Sequence, residues 1–101
     1  MTAFDVQRII QTDLATGENR SMLDIAKCLI QPCLVDCYDH TEVDPPDKLW
    51  LVFQEVRIGN SGYSIVFDES EHAFGLAIRG KSGKQKCIAL YETFLQALNA
   101  M

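Results

Sequence analysis

Four places in the sequence combine residue types that could do chemistry. Cys33-x3-Cys37-x2-His40 sets two thiols and an imidazole close together, and Cys28 and Cys87 add further thiols, so a zinc site is one reading. Structural zinc sites use tight C-x2–4-C knuckles bounded by Gly or polar residues. Here Leu34 and Val35 lie inside the run, and the segment reads as a strand. Alternation then places Cys33, Val35 and Cys37 on one face and His40 on the other. Free cysteine packs as a small hydrophobe, so the expectation is buried thiols with no metal ligand and no cofactor. Cys37 with His40, and Ser70 with His72, are the pairs that could supply a nucleophile and a base. Neither lies in a nucleophile context such as G-x-S-x-G, and His72 sits in a turn beside Asp68, Glu69 and Glu71. Gly80-Lys81-Ser82-Gly83-Lys84 has the residues of a phosphate loop at the wrong spacing. A P-loop needs four residues between its glycines and a Ser or Thr after the lysine; here there are two, and Gln85 follows. The segment reads as a hairpin turn. No residue is assigned a catalytic role, and the chain is expected not to be an enzyme.

What remains is the fourth feature, carboxylate. The chain has 101 residues and carries 14 acids against 9 bases, for a net charge of -5. That balance argues against a nucleic-acid binder, and the basic run Arg79, Lys81, Lys84 and Lys86 has no interleaved aromatic. The acids are concentrated. Between Asp36 and Asp47 lie Asp36, Asp39, Glu42, Asp44 and Asp47 with no base among them. A glycosidase would need two carboxyls facing each other across a sugar cleft, for which so short a chain leaves little room. An acidic surface opposite a basic one can instead steer a protein partner. Asp36, Asp39, Glu42, Asp44 and Asp47, with Tyr38 as aromatic anchor, form the first candidate surface; Asp68, Glu69 and Glu71 form a second.

The elements that position these residues follow from periodicity. Residues 3–14 read as a helix, with Val6, Ile10 and Leu14 stacked and Ile9 beside them; Thr2-x-x-Asp5 has the form of a capping box with a shortened acid. Ser21 caps a second expected helix with Met22, Ile25, Ala26 and Leu29 inward, stopped by Pro32. From Cys33 the period changes. Strands are expected at Cys33–Tyr38, Lys48–Val56, Tyr63–Phe67, Phe74–Ile78 and around Lys86–Leu90. The run Leu49-Trp50-Leu51-Val52-Phe53 suggests a central strand covered on both faces. The small residues Gly75 and Ala77 suggest a close approach. Tyr91 to Met101 closes as a helix through Tyr91, Phe94, Leu95 and Leu98. The expected architecture is a single α+β domain over residues 1–101: an antiparallel sheet of four to five strands, two N-terminal helices and one C-terminal helix. No apolar run approaches the ~18 residues of a membrane span. No secretory signal is visible at the N-terminus, which points to the cytoplasm and to reduced thiols.

The stretches Lys48-Leu49-Trp50-Leu51-Val52, Gly62-Tyr63-Ser64-Ile65-Val66-Phe67-Asp68-Glu69, Phe74-Gly75-Leu76-Ala77 and Leu90-Tyr91-Glu92-Thr93-Phe94-Leu95 resemble small bacterial immunity proteins. These are the partners of contact-dependent growth-inhibition and other polymorphic toxins. The resemblance covers about residues 48–98, mostly core and turn positions. It implies a cytoplasmic protein that binds one cognate toxin domain 1:1 and neutralises it by occlusion. The acidic surface makes a basic nuclease the expected target; neither nucleic acid nor membrane is an expected partner, and a homodimer stays open. The alternative is a non-catalytic adaptor that dimerises through a strand edge or the Trp50/Phe53 strand. A small hydrolase or metal protein using Cys37, His40 or His72 is a third reading.

Overall fold

The computed structural model describes residues 1–16, 29–38, 45–54, 63–79 and 85–100. Helix α1 (Ala3–Thr16) is followed by strands β1 (Leu29–Tyr38), β2 (Asp47–Gln54), β3 (Tyr63–Asp68), β4 (Ala73–Arg79) and β5 (Gln85–Tyr91), and by helix α2 (Phe94–Asn99). Helix α1 begins as its sequence dictates. The Asp5 carboxylate accepts from the Thr2 N–H at 2.9 Å and the Thr2 hydroxyl at 3.0 Å, and Thr2 Oγ1 accepts from the Asp5 N–H at 3.3 Å. These bonds, led by that from the Thr2 backbone, hold the Asp5 carboxyl below its ordinary pKa.

Of the expected second helix, residues 21–28 lie outside the described residues. Its last turn is a correction: Leu29, Ile30 and Gln31 belong to β1, so the described residues hold one N-terminal and one C-terminal helix. Pro32 is inside the strand and not at a helix end. The pairing of β1 with β2 jumps from Leu29↔Phe53 to Cys33↔Leu51, so Pro32 sits where the ladder is irregular. There its missing N–H breaks no regular bond.

The five strands run as an antiparallel meander, β1-β2-β3-β4-β5, that closes into a barrel. Directions alternate along a meander, so the first and fifth strands point the same way and closure must be parallel. The seam is short: Cys37 pairs with Gln85 and Tyr38 with Lys86. A purely antiparallel sheet was expected; the parallel seam is the departure from it.

The two faces of the sheet pack differently. One carries both helices: Val6 and Ile10 of α1 and Phe94, Leu95, Ala97 and Leu98 of α2 bury against Val52, Phe53, Ile65, Phe67 and Phe74. Val52 and Phe53 can both reach this face because the register of β2 slips between Leu51 and Phe53, the signature of a β-bulge. Phe94 lies 6.0 Å from Phe53 and 5.8 Å from Phe74, both edge-on. Each such contact adds ~0.5–1.5 kcal/mol to simple burial. The opposite face packs Cys37, Leu49, Leu51, Val66 and Ala77 together, with Ile30, Val35 and Cys87 against them. The run 49–53 thus serves both faces, as its unbroken apolarity required.

Helix α2 is only six residues long and is held by its caps. Thr93 Oγ1 accepts from the Gln96 N–H at 3.1 Å, and Gln96 Oε1 accepts from the N–H groups of Thr93 at 3.3 Å and Glu92 at 2.9 Å. The Phe94 N–H donates to the Asp13 carboxylate at 2.8 Å. An acid of α1 thereby satisfies an amide that the helix itself cannot pair, at its positive end. Tyr91 ends β5 and does not begin the helix, because the capping box sets the first turn at Phe94.

Candidate functional site

The second face ends in a cleft of about 380 Å³. Tyr38 and Cys37 from the end of β1, Asp47 and Leu49 from the start of β2, and Asp68 from the end of β3 line it. The facing wall is β5, with Cys87, Ile88, Ala89 and Leu90. The register explains the convergence. Cys37↔Asp47, Val35↔Leu49, Leu51↔Val66 and Asp68↔Ala73 stack residues of one face across neighbouring strands. Gly75 keeps the face narrow: a Cβ built there would lie 2.9 Å from Cys87 Sγ and 3.0 Å from Val66 Cγ2. The close approach expected around Gly75 and Ala77 is therefore made by Cys87 and Val66.

The cleft joins the two acidic segments. Asp47 belongs to the first candidate surface and Asp68 to the second. Asp36, Glu69 and Glu71 do not line it; Asp39, Glu42 and Asp44 lie outside the described residues, as does His40. Asp36 is exposed on the other face of β1. Its carboxylate meets Lys48 Nζ at 2.6 Å, across the strand pair Asp36↔Lys48. Glu69 lies 3.0 Å from the Met1 amino group. Asp68 also shapes its own turn: its Oδ1 accepts from the Ser70 hydroxyl at 2.8 Å, the Ser70 N–H at 3.0 Å and the Glu71 N–H at 3.3 Å.

Cys37, Cys87, Ser70 and His72 are engaged by burial or by contacts within the fold. Cys37 is buried and its thiol is pushed up to about 12, first by that burial and then by the neighbouring Cys87, Asp47 and Asp68. Cys87 is raised too, again chiefly by burial. A thiol so raised is not a thiolate at neutral pH and is a poor nucleophile. Cys87 Sγ donates to the Ala89 carbonyl at 3.5 Å. Cys33 departs from the expected burial: it shares a face with Cys37 but is exposed. Among the described residues the β1–β5 seam pairs Cys37 and Tyr38 of β1, and Cys33 lies outside it. Ser70 Oγ is engaged with Asp68 and not with His72. His72 adopts a φ of 49°, in the left-handed region, and its ring stands edge-on to Phe67 at 5.4 Å. Among the described residues no three His, Cys, Asp or Glu side chains are grouped to hold a metal ion. No helix of the described residues is long and apolar enough to cross a membrane.

Sequence reasoning found the acids of the cleft but not its apolar wall. Ile88 is 44% exposed and Leu90 55% exposed. The signal for Ile88 was hidden by a second register slip: Leu76↔Ala89 is followed by Ala77↔Cys87, which leaves Ile88 outside the ladder. The Trp50/Phe53 strand is not a surface: Phe53 is fully buried and Trp50 packs against the helix-bearing core. Compared with known proteins, the chain matches no family model, no curated sequence and no solved structure.

Proposed function

We propose that this chain is a stoichiometric inhibitor of the immunity type, which binds a cognate basic toxin domain, a nuclease in the first instance, and covers its active site. The observation that carries the reading is the convergence of Asp47 and Asp68, from the two acidic segments, on one cleft with an exposed apolar wall. Interfaces combine such features: apolar contact for affinity and complementary charge for orientation and encounter rate. The raised thiols and the engaged Ser70 favour binding over covalent chemistry at this place.

The test is co-expression of this chain with the toxin domain encoded beside its gene in the source genome. Rescue of growth, together with a salt-sensitive 1:1 complex, is the expected outcome. Toxicity that persists beside folded, well-expressed chain rejects the pairing. Charge reversal at Asp36, Asp39 and Glu42 then measures the share of the first acidic segment, and an unchanged affinity removes that segment from the interface. The adaptor reading draws on Leu34, Ile88 and Leu90, apolar and exposed on β1 and β5. A salt-insensitive homodimer seen by light scattering would favour it.

A further inference from the structure

The cleft's chemistry is more specific than acidity. Its two carboxylates come from different strands, Asp47 from the first residue of β2 and Asp68 from the last of β3. Its walls are apolar: Leu49 on one side, Ile88 and Leu90 on the other. The two carboxylates make an acceptor-rich environment beside an aliphatic wall.

The side chain that matches both halves is arginine. Its guanidinium carries only donors, five of them in a planar fork, and its methylene stem covers apolar surface. A volume of about 380 Å³ is at the small end of ligand pockets, fitting one long side chain better than a large cofactor. We propose that the cleft between β5 and the Asp47/Asp68 pair is an anchor pocket for an arginine side chain of the partner protein. The stem lies along Leu49, Ile88 and Leu90, and the guanidinium meets Asp47 and Asp68. This deepens the inhibitor reading and rests on it for the partner's identity; the pocket's preference can be measured without any toxin.

The probe is N-acetyl-arginine N-methylamide, titrated into the full ¹⁵N-labelled chain and followed by amide chemical shifts. Shifts centred on Tyr38, Asp47, Asp68, Ile88 and Leu90 are expected. The citrulline counterpart has the same shape without the charge and should bind about tenfold more weakly or worse. The pair Asp47→Asn and Asp68→Asn should give the same loss. Both keep an acceptor oxygen, so the Asp68 turn can persist, and the variant's own spectrum reports whether it folds. If the double variant unfolds, Asp47→Asn alone serves, since Asp47 is exposed. No shifts, shifts elsewhere, equal binding of citrulline, or indifference to Asp47→Asn would each overturn the proposal. A failed toxin rescue with a positive titration would instead reject the inhibitor reading and leave the arginine pocket standing.

Discussion

The two faces of this sheet are built from different materials. The helix-bearing face holds Phe53, Phe67 and Phe74 under Phe94 and Leu98, all 1% exposed or less. The other holds Cys37, Val66, Gly75 and Ala77, and runs out into a cleft. Large rings covered by helices bury the most area for each ordered residue, so that face carries stability. On the second face Gly75 and Ala77 let the strands approach closely, and this face runs out into the open cleft. The comparison teaches that the helix-covered core and the open cleft lie on opposite sides of the same strands.

The sharpest way to break this division is Phe94→Ala. It removes the ring that meets both Phe53 and Phe74, and a loss of about 3–5 kcal/mol in denaturant unfolding is expected. A loss below 1 kcal/mol would mean that the aromatic face is not the stabilising one. Next comes Gly75→Ala on the cleft face. The added methyl would meet Cys87 Sγ and Val66 Cγ2 at 2.9 and 3.0 Å. Overpacking of this kind costs about 1–3 kcal/mol. Adding Cys87→Ala should recover part of that, measured as a coupling in a double-mutant cycle. Additive effects would show that the thiol does not set the spacing.

Asp13→Ala tests how the helix-bearing face is tied together. It strips the Phe94 N–H of its acceptor, and a cost of about 0.5–2 kcal/mol is expected, with Asp13→Asn closer to wild type. Equal losses in the two variants would point to charge and not to the hydrogen bond. The last effect is one of pH and is absent at neutrality. The unfolded Cys37 thiol ionises near its ordinary 9.0, while the folded one holds its proton up to about 12. Unfolding therefore releases a proton in that window, and stability falls as pH rises from 9 towards 12. Chemical denaturation across that range should show a flatter decline in Cys37→Ala; an identical decline would place the alkaline loss in other groups.

Much of this was legible residue by residue. The Thr2/Asp5 box, the stripe Val6, Ile10 and Leu14, and the strands around 63–67 and 74–78 are local patterns, and local sterics and periodicity decide them. The misreading of Leu29–Gln31 has a physical cause. A helical stripe from Met22 to Leu29 followed by a proline satisfies every local rule for a helix end, and only the irregular pairing with β2 makes Pro32 acceptable in a strand. The exposure of Cys33 was equally invisible, since alternation assigns a face but not what stands opposite it.

The sequence by itself determined the alternation of β3, the N-terminal cap of the first helix, the closeness at Gly75 and the excess of acid. These depend on neighbours a few residues away. Only the tertiary structure decided that β1 and β5 meet in parallel, that Asp13 caps a helix 81 residues further on, and that Asp47 and Asp68 share a cleft with Leu90. Those are contacts across the whole chain. They follow from how a twisted five-strand meander closes, and no local pattern carries that information.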